Sequence, residues 1–218
     1  MNYVAMKRLA LSACALVLLS SALSACVPLV LGAAAGGSLV ATDRRTSGAQ
    51  LEDEGIELRG ISRIRTTLGE RVHVNLTSFN RQVLLTGEAP SLQDKQSVEQ
   101  IVSRVENVAS VVNEMTVMGH STLTQRSSDA LVTGRVKAAL VDAPDLFSNA
   151  FKVVTESGTT YLMGRVTQRE ADRGTDVVRA TPGVQKVVRI FEIISEEELR
   201  RQLPPAPKPL PATNKSSS

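Results

Sequence analysis

Val83-Leu-Leu-Thr-Gly-Glu-Ala89 and Thr160-Tyr-Leu-Met-Gly-Arg-Val166 follow one pattern, an apolar run that leads into a glycine. Further along the chain, Asn107-Val-Ala-Ser-Val-Val112 and Gly183-Val-Gln-Lys-Val-Val188 match in the same way. The two pairs are offset by 77 and 76 residues, so one insertion or deletion between them reconciles the alignment. Self-similarity at a fixed spacing indicates repeated structural units. The sequence therefore predicts two domains, over residues 51–119 and 127–195.

Each copy predicts the element order α-β-β-α-β. Val72, Val74 and Leu76 alternate with polar residues, as in a half-buried strand. Apolar residues at helical spacing are expected to form the cores: Ile61, Ile64 and Leu68; Val98, Ile101, Val102 and Val105; and Val132, Val136 and Leu140. The predicted fold class is α+β, with helices packed on one face of a three-stranded sheet in each domain.

Leu23-Ser-Ala-Cys26 ends a short apolar run that begins at Leu9, directly after Lys7 and Arg8. A basic start, an apolar middle and a small-residue exit are typical of a secretory signal peptide, and this exit has the form of a bacterial lipobox. We expect residues 1–25 to be removed and Cys26 to carry a diacylglycerol group and an N-acyl chain. A transmembrane helix with an incidental cysteine is the alternative, although a span needs about 20 apolar residues. The start codon, Met1 or Met6, stays open.

The remaining segments are predicted to be irregular. Residues 26–50 begin with small apolar residues and are expected to form a flexible tether. Residues 120–126 form a linker, whose shortness predicts that the two domains lie close together. Residues 196–218 are a C-terminal extension that starts with a possible helical turn and ends in a polar, proline-rich tail, which is expected to be disordered.

Charge distinguishes the two predicted domains. Loss of Lys7 and Arg8 with the signal peptide lowers the formal net charge from +3 to +1, so the whole-chain value is no argument for binding nucleic acid. The first domain carries a net charge of −3 over residues 51–118, and the second carries +1 over residues 127–195. An anionic surface would therefore repel the first domain and accept the second.

The sequence shows no catalytic constellation and no metal site. His73 and His120 are predicted to lie in a strand and in the linker, without a nucleophile or a ligand partner at a recognisable spacing. Cys14 leaves with the signal peptide and Cys26 is blocked by lipid, so no disulfide is expected. We predict a protein that is not an enzyme, holds no cofactor beyond its acyl chains and does not bind nucleic acid.

The glycine-ended strand, capped helix and closing Val-x-x-Val-Val strand, present twice, resemble BON domains. With the lipobox and tether, the arrangement resembles that of dual-BON outer-membrane lipoproteins over nearly all of the mature chain up to Ser195. Three further stretches are similar to that family: Ala41-Thr-Asp-Arg44, Arg81-Gln-Val-Leu-Leu-Thr-Gly87 and Tyr161-Leu-Met-Gly-Arg-Val-Thr-Gln-Arg-Glu-Ala171.

The resemblance implies a lipoprotein on the periplasmic face of the outer membrane that helps to maintain envelope integrity. Val27, which follows the lipidated cysteine in place of an aspartate, is consistent with export to that membrane. The second BON domain is expected to bind anionic phospholipid, phosphatidylglycerol or cardiolipin, through its first helix.

Four residues of that helix are the predicted lipid contacts: Leu131, Val132, Arg135 and Lys137. Apolar and basic residues together are typical of a helix that lies on a membrane. One departure from the family is Leu131, which stands where the family has a bulky aromatic residue; leucine lacks a ring suited to the headgroup region. An ordinary solvated helix face is the alternative.

A different class of function also stays open. The two domains could form a protein-interaction module that serves outer-membrane protein assembly or cell-wall remodelling at the division site. In that case, the sheet faces and the acidic first domain would bind the partner.

Overall fold

The computed structural model describes residues 43–119 and 121–202, which comprise two copies of the predicted unit. Domain 1 contains α1 (Ser47–Leu68), β1 (His73–Phe79), β2 (Gln82–Ala89), α2 (Leu92–Ser103), β3 (Ser110–Asn113) and β4 (Thr116–Val117). Domain 2 contains α3 (Leu123–Asp142), β5 (Phe151–Glu156), β6 (Thr159–Thr167), α4 (Gln168–Arg179) and β7 (Lys186–Ile194), followed by α5 (Glu196–Gln202). The predicted α+β class and element order are confirmed.

The glycine-ended strands quoted above are the central strands of the two sheets. In domain 1, β2 pairs antiparallel with β1 and parallel with β3 and β4. In domain 2, β6 pairs antiparallel with β5 and parallel with β7. The predicted single closing strand of domain 1, Val111 to Val117, is interrupted between β3 and β4, whereas β7 is continuous.

An aspartate on the first helix of each domain secures the hairpin that follows it. In domain 1, the carboxylate of Asp53 accepts hydrogen bonds from the backbone N–H groups of Asn80 and Arg81, both at 2.8 Å. Both turn residues have positive φ, 50° and 68°, as the tight turns of two-residue hairpins require.

The second hairpin repeats this device. Asp129 accepts hydrogen bonds from the backbone N–H groups of Ser157 and Gly158 at 2.9 and 3.0 Å, and these two residues also have positive φ. Both aspartates are buried. A buried carboxylate is tolerated where hydrogen bonds replace its hydration, so each aspartate holds its helix against its hairpin turn.

The predicted apolar stripes form the two cores. In domain 1, Ile64, Leu68, Val98, Val102 and Val105 are buried against β1 and β2, and Ile61 and Ile101 pack at the margin. In domain 2, Val132, Val136 and Leu140 of α3 are buried against the sheet. The core assignments are therefore confirmed.

Two boundaries differ from those predicted, whereas the helical turn expected at the start of the C-terminal extension is present as α5. α1 begins at Ser47 because the Thr46 hydroxyl accepts the Ala49 N–H at 3.1 Å, so the tether is shorter than residues 26–50. Likewise, α3 begins at Leu123, where Thr122 is the cap, and takes up half of the predicted linker. Beyond β7, α5 buries Leu199. The signal peptide, Cys26, His120 and the proline-rich tail lie outside the described residues.

The two sheets pack against each other on the faces that their helices leave open. Their contact forms a third apolar cluster, to which both domains contribute: Phe79 and Leu84 from domain 1, and Tyr161, Met163 and Ile190 from domain 2. Strands buried on both faces have nearly continuous apolar sequences. This explains why Val83-Leu84-Leu85 and Tyr161-Leu162-Met163 do not alternate with polar residues.

Hydrogen bonds at the margin fix the relative position of the sheets. The Lys152 ammonium bonds the Glu57 carboxylate at 3.0 Å and the Ser78 carbonyl oxygen at 3.2 Å. Asn80 donates a hydrogen bond to Glu192 at 2.6 Å. These bonds connect residues of different domains. The two domains, which the short linker predicts to lie close together, therefore share an extended packed interface.

The opposite margin of the interface is rich in carboxylates. Glu88 is almost fully buried, and its Oε2 lies 3.0 Å from Nδ1 of His73, while its Oε1 has no hydrogen-bond partner among the described residues. From the facing sheet, Glu156 accepts a hydrogen bond from Asn75 at 2.7 Å. Burial raises the pKa of the Glu156 carboxyl; the Asn75 bond opposes this rise and the charge of Glu88 adds to it.

We predict that Met163→Ala destabilises the protein by about 2–5 kcal/mol, because a methionine truncated inside a packed core leaves a cavity. Met163 is fully buried in the interface between the sheets. Urea denaturation monitored by circular dichroism measures the free energy of unfolding. Met118→Ala is the matched control, since Met118 is 45% exposed. Equal losses in the two variants would contradict the interface.

We predict that Glu156→Gln raises Tm at pH 7. A carboxyl whose pKa is raised by folding contributes stability below its unfolded pKa, and that contribution is lost as the pH rises through the folded pKa. Glutamine keeps an acceptor for Asn75 without the charge. The wild type is therefore expected to gain stability as the pH falls from 7 toward the raised pKa, and the variant to lack this gain.

Thermal unfolding between pH 8 and pH 5 measures this difference, with exposed Glu54→Gln as the control. A Glu156→Gln profile parallel to that of the wild type would argue against a raised pKa of the Glu156 carboxyl in the folded protein.

Candidate functional site

The solvent-facing side of α3 is unusually apolar. Leu123, Leu131 and Val141 are 80%, 64% and 67% exposed. At 100° per residue, these three side chains share one side of the helix. The residues between them on that side are small: Ser127, Ala130, Gly134 and Ala138. We call these seven residues the outer face of α3.

The core of domain 2 determines which way this face points. Val132, Val136 and Leu140 occupy the opposite side of α3 and pack on the sheet, so the outer face is directed to solvent. The prediction that Val132 contacts lipid is corrected here, since Val132 is only 4% exposed and belongs to the core. Leu131 is one residue away but points outward, because successive helical residues differ by 100°.

Two cations flank the outer face. Arg135 and Lys137 are exposed and form no ion pair with a carboxylate in the described part of the chain. The other arginines of the domain 2 sheet and α4 are paired: Arg165 with Glu192, Arg169 with Glu196, Arg173 with Asp145, Arg179 with Asp176 and Arg189 with Asp172. The positive charges near the outer face are thus available to a ligand.

Domain 1 offers a different surface at the corresponding place. Its first helix also exposes two leucines, Leu51 at 69% and Leu58 at 74%. They stand among acidic residues of the same helix, Glu52, Glu54 and Glu57. Two of these carboxylates are paired, Glu52 with Arg59 and Glu57 with Lys152, whereas Glu54 has no cation partner among the described residues. The leucines of α1 therefore lie beside carboxylates and those of α3 beside cations, a difference of the same sign as the net charges of the two domains.

Asp43, Arg44 and Arg45 lie against both domains, and we call these three residues the strap. The Arg44 guanidinium forms two 2.7 Å bonds with the Glu170 carboxylate and a 2.9 Å bond with the Arg165 carbonyl oxygen. The Arg44 side chain is 4% exposed and that of Glu170 is fully buried. Burial tends to raise the pKa of Glu170, but the bonds from Arg44 and from the Thr167 N–H lower it below the usual value.

Arg45, the next residue, is held by domain 1. Its guanidinium bonds Asp53 at 2.7 Å and lies over the ring of Phe79, with 4.3 Å between the guanidinium carbon and the ring centroid. Asp53 also accepts a hydrogen bond from the Ser78 hydroxyl at 2.6 Å. Burial by itself would raise the pKa of Asp53, but these bonds and those of the hairpin turn lower it.

The strap runs beside α3. Asp43 and Arg45 line a cavity of about 500 Å³ together with Lys137, Leu140 and Val141 of that helix. The sequence shows that Ala41-Thr-Asp-Arg44 is similar to the family but indicates no role for these residues, because Arg44 and Glu170 are 126 positions apart. Leu123 and Val141 were not among the predicted contacts, although their helical spacing to Leu131 places them on the same side of α3.

The described residues contain no candidate metal site. In residues 43–119 and 121–202, no group of three or more His, Cys, Asp or Glu side chains could hold a metal ion. Within the same ranges, no helix has the length and hydropathy needed to cross a membrane. Cys26 lies outside them, so its lipidation stays a prediction.

These features define a tandem-repeat α+β protein whose second repeat exposes an apolar face on its first helix. The sequence matches the profile of the BON domain over residues 61–119 and 128–194, and the chain belongs to the BON-domain family. It is 33% identical to the outer membrane lipoprotein DolP of Haemophilus influenzae, over 79% of this chain and 90% of that protein.

A second relative is the 21 kDa hemolysin of Actinobacillus pleuropneumoniae, with 29% identity over 70% of this chain and 79% of the relative. Among solved structures, CdsD, a structural protein of the type III secretion system of Chlamydia trachomatis, is 15% identical, with a TM-score of 0.28. That alignment covers 65% of this chain and 95% of CdsD. The match to the BON-domain profile and the similarity to DolP confirm the family resemblance expected from the sequence.

We predict that Arg44→Ala destabilises the protein by about 3–5 kcal/mol, since it leaves the fully buried Glu170 without its counter-ion. Arg189→Ala removes an arginine from the exposed pair with Asp172 and is expected to cost at most about 1 kcal/mol. Chemical denaturation compares the two variants. Similar losses for both would show that Arg44 is not the buried ion-pair partner described above.

Proposed function

We propose that this protein is a non-enzymatic lipoprotein of the outer membrane, anchored through acyl chains on Cys26 and exposed to the periplasm. The outer face of α3 contacts anionic phospholipid, phosphatidylglycerol or cardiolipin, and the protein thereby helps to maintain the envelope. The observation that carries this proposal is the exposed apolar side of α3 between Arg135 and Lys137, two cations with no carboxylate partner in residues 43–119 and 121–202.

The chemistry of this face supports lipid contact. A helix with an apolar side and flanking basic residues can lie in the membrane interface, where its apolar residues enter the boundary between headgroups and acyl chains. Each basic residue close to an anionic surface contributes about 1 kcal/mol. The resulting contact is weak, and it acts beside the anchor because two membrane signals hold much better than one.

Sequence and relatives support the location. Leu23-Ser-Ala-Cys26 has the lipobox form, and Val27 stands where an aspartate would argue for the inner membrane. One relative is named as an outer membrane lipoprotein, and 90% of its length aligns with this chain. The expected aromatic residue is replaced by Leu131, so we propose a shallower contact that depends on the two other exposed apolar residues, Leu123 and Val141.

We predict that Leu131→Glu weakens binding to phosphatidylglycerol vesicles by about tenfold or more, because it removes an apolar contact and adds a repelled charge. The matched control is Leu58→Glu, which changes an exposed leucine on the first helix of domain 1. A soluble form of residues 41–218 contains both cores, and vesicle co-sedimentation measures its binding.

Neutral phosphatidylcholine vesicles complete the design. The parent protein is expected to prefer the anionic vesicles, and added salt to reduce that preference, since salt screens exposed charges. Equal binding to both vesicle types, or no binding to either, would overturn the lipid proposal.

A groove in domain 1 favours a second candidate, a protein-interaction module for outer-membrane protein assembly or cell-wall remodelling. The groove has a volume of about 750 Å³ and is lined by Leu58, Ile61 and Leu76 together with Glu54 and Glu57. This candidate predicts that Leu58→Glu abolishes function in cells while Leu131→Glu preserves it. Crosslinking in membranes followed by pull-down with both variants distinguishes the candidates.

A further inference from the structure

The domain 1 sheet has a free edge at β1. Among the described residues, β1 pairs with β2 alone. In a hairpin with a two-residue turn, the last pair, here Phe79 and Gln82, exchanges both of its hydrogen bonds, and such pairs alternate along the strands. The backbone N–H and C=O groups of Val74, Leu76 and Ser78 therefore point away from β2.

Side chains bond these outward groups at one of the three residues. The Ser78 N–H donates to the Glu57 carboxylate at 2.8 Å, and the Ser78 carbonyl oxygen accepts a bond from the Lys152 ammonium at 3.2 Å. Val74 and Leu76 have no such partner in the part of the chain that the structure describes. Unpaired backbone groups along an edge strand are a template for the addition of another strand.

The groove of domain 1 runs beside this edge. It is lined by α1, from positions 54 to 66, and by Leu76 of β1. Those positions span about 18 Å of helix, which is the length of about five residues of extended chain. Directly opposite residues of paired strands point to the same face of a sheet, so the residues of an added strand that pair with Val74 and Leu76 would enter the groove beside Leu58 and Ile61. Asn75 is exposed, so this edge is open to solvent.

The groove is acidic at the end near the turn between β1 and β2. Asp53 bonds that turn, so the next residue, Glu54, lies at the same end. Glu54 has no cation partner in residues 43–119 and 121–202, whereas Glu57 is neutralised by Lys152. A basic side chain is therefore the chemical complement of this end.

The opposite end is basic. There a second cavity of about 710 Å³ shares Arg65 with the groove and extends to Val74 and to Arg126 of α3. Neither arginine forms an ion pair with a carboxylate in the described ranges, and Glu70 is the one acid in the lining of this cavity. Two arginines against one glutamate favour an acidic group on a ligand here.

We propose that the groove binds an extended segment of a partner protein, which joins the domain 1 sheet as a strand antiparallel to β1. Antiparallel pairing is the more stable arrangement per residue. Because β1 runs from the basic end to the acidic end, such a segment carries a basic residue near its N-terminal end and an acidic residue near its C-terminal end. In strand addition, main-chain hydrogen bonds give affinity and pockets for alternate side chains give specificity.

This inference rests on the second candidate function, the protein-interaction module, and is independent of the proposed lipid contact. A library of random decapeptides displayed on phage supplies the probe, and selection uses the soluble form of residues 41–218. Enriched peptides are expected to contain alternating apolar residues, with a basic residue before them and an acidic residue after them. Absence of enrichment, or enrichment without this alternation, would overturn the proposal.

Backbone methylation of an enriched peptide tests strand addition without changing the protein. Fluorescence anisotropy measures the affinity. Methylation of the peptide nitrogens opposite Val74 and Leu76 is expected to weaken binding about tenfold or more, because each loses a hydrogen bond to the edge. Methylation of the nitrogen between them, which points away from β1, is expected to change the affinity by less than about twofold. Similar losses at consecutive positions would contradict strand addition.

The edge of the protein is tested with Val74→Pro, which removes one outward N–H. Proline is tolerated in an edge strand when its nitrogen faces away from the neighbouring strand. Val74→Ala is the matched control, since it shortens the same side chain and keeps the N–H. Val74→Pro is expected to weaken peptide binding about tenfold or more and Val74→Ala to weaken it less. Equal effects in two variants that circular dichroism shows to be folded would count against the edge as the binding element.

The direction of the bound peptide is tested through charge. Glu54→Lys is expected to weaken binding severalfold, whereas Glu106→Lys, which changes an exposed acid outside the groove, is expected to have no effect. A peptide with its basic and acidic residues exchanged is expected to bind the parent protein more weakly. Equal binding of the two peptides would refute the assigned direction.

Strand addition and the interaction module can fail separately. If Leu58→Glu abolishes function in cells but no alternating peptide is enriched, the module binds its partner in another way and strand addition is wrong. If such a peptide binds but Leu58→Glu preserves function in cells, the site stands and the module is wrong as the function. If peptides bind only after residues 203–218 are removed, that segment is the occupant and the proposal of a partner protein is wrong.

Discussion

Burial of each central strand on both of its faces is the constraint on which the rest of the structure depends. Val83 and Leu85 of β2 face the helices of domain 1, whereas Leu84 faces the sheet of domain 2. In β6, Leu162 faces the helices and Met163 the opposite sheet. Neither sheet could expose its second face to water without losing this apolar burial, so the two domains form a single packed body in which each covers the other.

Hydrogen bonds to buried carboxylates hold the helices, hairpin turns and strap in place around the two packed sheets. Asp53 and Asp129 join a helix to a hairpin turn, and Glu170 joins the start of α4 to the strap. Each carboxylate accepts backbone N–H groups, which replace the hydration lost on burial. Arg44 and Arg45 balance two of these charges. The same electrostatic requirement that stabilises the fold therefore also holds the strap, residues 43–45, beside α3.

The two repeats share one fold but differ on the solvent side of their first helices. Both first helices expose leucines, but those of α1 lie beside glutamates, whereas those of α3 lie beside small residues and two cations that have no carboxylate partner in the part of the chain that the structure describes. The two helices share an apolar buried side, where packing permits few residue types, and differ on the solvent side. This contrast is the reason for proposing that domain 2 meets the membrane and that domain 1 stays available to other partners.

The local pattern of apolar and polar residues was enough to predict the repeat, the fold class and most of the core. The repeat, the α-β-β-α-β order and the core positions such as Val136 and Leu140 follow from periodicities that the backbone geometry of helices and strands imposes. The lipobox and the family resemblance are also features of the sequence. Only the tertiary structure decided which residues meet across long distances: the packing of one sheet on the other, the pairing of Arg44 with Glu170, and the burial of Val132 beside exposed Leu131. Such contacts depend on which groups lose water together when the chain folds, and no local pattern records that.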